Sequence, residues 1–245
     1  MQKVITFSPR KYLIVISSFF IIPIHLYIDS PAFNTQTQWQ WLDNCLMCCY
    51  FAFLYLDADI KLKKLLILMV LYGSLIEILG TMVLELYRYR LDNIPFYVPL
   101  GHAAVFGVIY HLQRLLAYEG LSKQTASFLY FFSLPVCLSS LLIANDIAGG
   151  ACYTFFLLII ATKKNKLFYL LMFYMVLYLE MVGTQLKVWT WYGTIKGPRY
   201  DIFVGNPPVG IGGVYIIMDM LACSSYLLIK KWRPTTFAKL PAPTD

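Results

Sequence analysis

Two glutamates stand 103 positions apart in the same short context, Glu77-Ile-Leu-Gly80-Thr81 and Glu180-Met-Val-Gly183-Thr184, and each follows a long apolar run. A carboxylate taken into hydrocarbon costs at least ~2.5 kcal/mol, so it stays neutral or finds a partner. A neutral carboxylic acid held among apolar groups is a good proton donor. Glu77 and Glu180 are therefore the first candidates for general acid–base chemistry. His102, near the start of the next apolar segment, and Asp219, well inside the last one, are further catalytic candidates. Each also has a plainer use: buried glutamates hydrogen-bond helices together, and a membrane histidine commonly serves packing.

Helical spacing puts Thr81 and Glu85 above Glu77, and Thr184 above Glu180, as polar stripes; Gly80 and Gly183 beside them would admit a neighbouring helix. Beyond the stripes come candidates for substrate contact: Tyr89, Trp191 and Tyr192 with aromatic faces, Arg88 and Arg90 with cationic heads, Asn93 and Asn206 in Asn-x-Pro turns. An aromatic belt with snorkelling arginines is the simpler account of several of these. Asp43 and Asp146 read as helix caps, and His25 and His111 as interfacial residues near helix ends. No P-loop, dinucleotide fingerprint, nucleophile elbow or paired-cysteine zinc pattern occurs, so no cofactor and no metal is expected. Aspartate clusters suited to magnesium–diphosphate chemistry are also missing, which disfavours prenyl transfer.

The elements that carry these residues belong in a bilayer. The chain is 59% hydrophobic and 13% charged with mean hydropathy +0.64, where soluble domains carry about 25% charged residues. Spanning hydrocarbon takes roughly 20 apolar residues in a helix. Eight segments qualify or nearly so: 11–28, 40–57, 64–87, 96–117, 124–145, 147–162, 167–190 and 208–230. With a cytoplasmic N-terminus, fifteen basic residues, Lys3, Arg233 and Lys239 among them, fall on the cytoplasmic side and five (Arg88, Arg90, Lys187, Lys196, Arg199) on the other. The positive-inside rule then places both termini in the cytoplasm. A net charge of +7 is answered by anionic lipid, without nucleic acid. Expected partners are membrane lipids and a hydrophobic small-molecule substrate. The first segment reads as a retained anchor, and the six cysteines as packed thiols.

Residues 43–89 align without a gap to 146–192, with 14 identities in 47 positions. Matched Asp, Glu, Lys and Gly are not explained by shared hydrophobicity. The expected architecture is an all-α polytopic bundle of about eight transmembrane helices, built as two parallel four-helix repeats, 1–119 and 120–233, with a cytoplasmic tail 234–245. An even number of helices per unit leaves both copies in one orientation. The longer second loop, 193–208, is a candidate lid or collar.

The order Glu-x-x-Gly, then Tyr87-Arg-Tyr89 or Trp189-Thr-Trp191-Tyr192, then a proline opening the next helix, resembles the multipass carotenoid-modifying proteins, the carotenoid hydratases and heterotypic lycopene cyclases. The resemblance covers 77–102 and 180–215 and departs from the family at Gly205-Asn-Pro-Pro208 and its glycine run. It implies that acidic residues in a helical bundle protonate an olefin and that water or an internal double bond captures the cation. Glu77 and Glu180 would then be the acids. The leading expectation is an intramembrane hydratase, cyclase or isomerase for an isoprenoid-type substrate. A small proton-coupled transporter and a non-catalytic scaffold are the rivals. An enzyme needs a closed pocket, a transporter a polar path, and a scaffold a dry, filled bundle.

Overall fold

A computed structural model describes residues 9–33, 39–197 and 199–231. Lys3, Arg233, Lys239 and the tail 234–245 lie outside them. The described chain forms eight helices: α1 (Pro9–Ile28), α2 (Gln40–Asp57), α3 (Ile60–Ile78), α4 (Tyr97–Tyr118), α5 (Ser122–Ala144), α6 (Ile147–Thr162), α7 (Lys166–Gln185) and α8 (Gly212–Lys231). Five segments, Pro9–Ile28, Ile60–Val83, Ser122–Ala144, Lys166–Gln185 and Val209–Lys231, are long and apolar enough to cross a membrane. The outside of the bundle is apolar as well: Leu56, Phe131, Leu142 and Ile143 are all at least 75% exposed. A water-facing surface does not carry large side chains in this way, whereas lipid tails accept them.

Local chemistry sets the helix boundaries. Asp59 caps α3 by accepting from Leu62 N–H at 2.8 Å. Asn145 closes α5 in the left-handed region, and Asp146 caps α6 by accepting from Gly149 N–H. The Asp146 carboxylate also accepts from the Gly205 and Val209 backbones, each at 2.8 Å, and so ties the loop before α8 to the start of α6. Tight packing follows: a Cβ on Gly210 would lie 1.9 Å from the Gly149 carbonyl oxygen.

The architecture departs from an all-α expectation at two places that matter. Helix α3 stops at Ile78 and continues as a π turn, Leu79–Val83, and α7 stops at Gln185, so neither runs to 87 or 190. In both, a residue of positive φ, Glu85 (47°) or Lys187 (58°), turns the chain into a short strand. Strands β1 (Tyr87–Tyr89) and β2 (Trp189–Trp191) pair antiparallel, with Tyr87 opposite Trp191 and Tyr89 opposite Trp189. The second pair, β3 (Thr194–Ile195) and β4 (Ile202–Phe203), forms a hairpin in the long loop.

The core gathers around α4, which packs on α1, α2, α3 and α7, while α8 packs on α3, α6 and α7. Phe106 on α4 is fully buried in this cluster, and Phe173 on α7 is fully buried in a second one with Phe156 and Ile216.

Candidate functional site

The ribbon is the key to the site. Strand periodicity sends alternate side chains to opposite faces, so Tyr87, Tyr89, Trp189 and Trp191 are all buried while Arg88 and Thr190 point away. Facing them are the ends of α3 and α7, where Glu77 and Glu180 are buried at 1% and 3% exposure. Both glutamates thus lie under the ribbon.

Each glutamate is held by its own set of donors. Tyr87 and Tyr89 hydroxyls both donate to Glu77 Oε2 at 2.7 Å, and His102 Nε2 donates to Oε1 at 2.7 Å. The indoles of Trp189 and Trp191 donate to Glu180 Oε2 at 2.8 and 3.0 Å, and the Tyr215 hydroxyl donates to Oε1 at 3.2 Å. An indole N–H can only donate, so Glu180 Oε2 is an acceptor in any protonation state. Oε1, with one long bond, is the least satisfied of the four oxygens. Burial, and then the Glu77 charge, push the Tyr87 and Tyr89 phenols above their ordinary value, which keeps them as donors.

The E-x-x-G pattern has a direct cause here. A Cβ on Gly80 would lie 2.9 Å from Tyr87 Cε1, and one on Gly183 would lie 2.1 Å from Trp189 Cη2. The glycines admit a ring from the following strand, not a neighbouring helix. That ring reaches back to the glutamate one turn earlier.

Both glutamates line one mostly apolar cavity of about 70 Å³. A water needs only about 10–15 Å³ on this measure, so the space exceeds a single solvent molecule. Its walls include His102, Tyr87, Tyr89, Trp189 and Tyr215, and on the other side Ile22, His25 and Leu26 of α1. His25 Nδ1 donates to Asp43 Oδ1, and both residues are buried. That bond fixes the tautomer, leaving Nε2 as the lone-pair nitrogen. Among the described residues Nε2 has no hydrogen-bond partner. This histidine–aspartate pair was not expected from the sequence, where His25 reads as interfacial and Asp43 as a cap.

Other sequence candidates have different surroundings. Thr81 and Thr184 hydroxyls donate back to the Glu77 and Glu180 carbonyls at 2.7 and 2.8 Å, so neither is offered to a ligand. Glu85 is exposed beyond the π turn, which breaks the expected stripe. Tyr192 is 42% exposed and does not line the cavity, although the ungapped alignment pairs it with Tyr89. The residues that hold the glutamates are ten and twelve positions after Glu77 but nine and eleven after Glu180. The π turn accommodates the extra residue in the first case.

Arg90 binds Asp29 through Nη2 at 2.8 Å and the Asp29 carbonyl through Nε at 2.7 Å, and Tyr97 donates to the same carboxylate. These contacts pin the end of α1 over the cavity. Asn93 donates to Gln40, and Asn206 accepts from the Trp191 backbone, so both brace loops. Arg88 is exposed on the far face of β1. Asp219 is 1% exposed, one turn beyond Tyr215, outside the cavity wall, with neither oxygen hydrogen-bonded among the described residues. The 193–208 loop leaves Tyr200, Ile202 and Phe203 exposed, and none of its described residues lines the cavity.

No protein-family model matches the chain, and no curated protein or solved structure matches it.

Proposed function

We propose that the cavity carries out acid–base chemistry on a carbon–carbon double bond, as an intramembrane hydratase, cyclase or isomerase for a hydrophobic, isoprenoid-type substrate. The observation that carries the reading is the unequal treatment of two carboxylates on one apolar cavity. Glu77 has three strong donors and serves as a fixed anion. Glu180 has an oxygen, Oε1, with room for a proton. Carboxylates whose surroundings differ in this way divide acid and base roles between them.

In the first step Glu180 Oε1–H gives its proton to one alkene carbon. The O–H bond breaks, a C–H bond forms from the π electrons, and the other carbon becomes cationic. Glu77, the newly ionised Glu180 and the faces of Tyr87 and Trp189 stabilise that charge by Coulomb and cation–π attraction. The cation ends by losing a neighbouring proton, by attack of an internal double bond followed by proton loss, or by capture of water. In the last case His25 Nε2 takes the proton from the attacking water, with Asp43 balancing the imidazolium. Each route releases one proton for the one consumed, and its return to Glu180 closes the cycle.

Two features favour chemistry over the rival readings. A transporter would continue the polar groups towards the opposite face, but the neighbouring cavity is lined almost wholly by apolar residues. A scaffold would fill the space at the glutamates, and a cavity lies there.

The wider architecture we propose is eight spans with both termini cytoplasmic, arranged as two four-helix repeats. Its support is the recurrence of one local plan: glutamate, glycine three residues on, a positive-φ turn, and two inward aromatics donating back to the glutamate.

The test is untargeted lipid mass spectrometry on cells expressing the wild type, Glu77→Gln and Glu180→Gln at equal membrane abundance. A lipid gaining one water, or isomerised, in the wild type alone supports the reading. Identical lipid profiles oppose it.

A further inference from the structure

Five residues, Ile22, Met47, Gly101, Val105 and Leu179, line the glutamate cavity and also a second cavity of about 40 Å³. The two spaces therefore adjoin through a common wall drawn from α1, α2, α4 and α7. From Gly101 the second cavity follows α4 to Val108, two turns or about 10 Å further from the ribbon. Its lining is almost entirely hydrocarbon. The Ser18 hydroxyl is spent on the Val15 carbonyl at 2.7 Å. Tyr50 brings the one other polar side chain, its buried hydroxyl lying near Ser17. Met47 and Met175 give walls that adapt to a guest by rotating flexible thioethers.

Gly101 stands at the junction. A Cβ built there would meet only Met47 Cε, at 3.9 Å, an ordinary contact. The absence of a side chain is thus not demanded by helix packing, unlike at Gly80 or Gly183. It leaves room at the place where the two cavities adjoin.

We propose that the second cavity seats the apolar tail of the substrate, which is an open-chain hydrocarbon and not a fused-ring lipid. The reacting double bond lies at Glu180, and the chain runs past Gly101 between α1 and α4. This rests on the carbocation reading of the glutamate cavity. An apolar space of about 40 Å³ running two turns along α4 suits an extended chain and not a fused ring system. Chain length, as a result, is selected at Gly101 and Val108, and the double bond is placed relative to the chain end.

The test uses two cationic amphiphiles that mimic the charged intermediate, N,N-dimethylhexylamine and N,N-dimethyltetradecylamine, each with a terminal diazirine. They are photolysed with the full chain in lipid nanodiscs and the labelled peptides mapped. The long probe is expected to label Tyr50, Val108 or Met175 in the wild type. Gly101→Val should cut that labelling about tenfold, the equivalent of two lost methylene burials. Gly101→Ala, whose methyl fits the space, gives a smaller cut in a chain that still folds. Labelling confined to lipid-facing residues such as Phe131 and Leu142, or a long-probe pattern unchanged by Gly101→Val, overturns the proposal. The short probe is the separate control: its labelling near Met172 and Val176 should fall in Glu77→Gln/Glu180→Gln and persist in Gly101→Val. If the double exchange leaves it unchanged, the glutamate reading fails, whatever the tail does.

Discussion

Tyr87 and Trp191 stand opposite each other in the ribbon with rings 4.5 Å apart, yet they donate to different carboxylates, Tyr87 to Glu77 and Trp191 to Glu180. The pair therefore links two buried carboxyl groups through one aromatic contact. Tyr87→Phe and Trp191→Phe should each lower stability by about 1–2 kcal/mol, the cost of leaving a buried carboxylate short of a donor. The double exchange should depart from additivity by about 0.5–1.5 kcal/mol, because the rings touch. Thermal unfolding of the four proteins in one detergent measures both quantities.

The two glycines beneath the ribbon should respond unequally to alanine. At Gly80 the nearest atom is a Tyr87 ring carbon at 2.9 Å, which a small ring shift relieves. At Gly183 the Trp189 ring lies at 2.1 Å and has to leave. Gly183→Ala should thus move Trp189 off Glu180, seen as a red-shifted tryptophan emission and a loss of about 2–4 kcal/mol, the range for overpacking plus a broken buried bond. Gly80→Ala should show the smaller loss and little change in emission.

The helices were legible from apolar runs of membrane length, and so was the recurrence of a glutamate in a matched context. The strands were not. Tyr87, Tyr89, Trp189 and Trp191 extend the apolar runs of α3 and α7, so nothing in composition marks where helix gives way to strand. The break depends on a π turn and on positive φ at Glu85 and Lys187, residues with no glycine-like signature. Once the strands form, interfacial aromatics become hydrogen-bond donors facing inwards. The His25–Asp43 pair was hidden for a different reason: its members lie 18 residues apart on two helices, and only their packing brings them together.

Asp146 should matter for the second loop out of proportion to its place as a cap. Asp146→Ala removes the bond from Gly149 and those from Gly205 and Val209 together. Cap loss alone costs about 0.5–2 kcal/mol. Hydrogen exchange at Gly205 and Val209 should rise far more than at the centre of α6. Equal exchange in both proteins would show that the loop is held by other contacts.

His25→Gln should change which product forms more than how much substrate is consumed. With Glu180 intact the double bond is still protonated, but the attacking water loses its base. Products of proton loss should then grow at the expense of the hydrated one, read from the ratio of the two lipids. Asp43→Asn should shift the ratio in the same direction, since it no longer balances the imidazolium.

The most direct measurement is deuterium transfer to carbon. Membranes from cells expressing the chain are incubated in D₂O, and their lipids are analysed for deuterium that survives washing in H₂O. The account predicts one lipid class that gains carbon-bound deuterium with the wild type and not with Glu180→Gln. No wild-type-dependent deuterium, or the same gain with Glu180→Gln, would contradict the claim that Glu180 delivers a proton to a double bond.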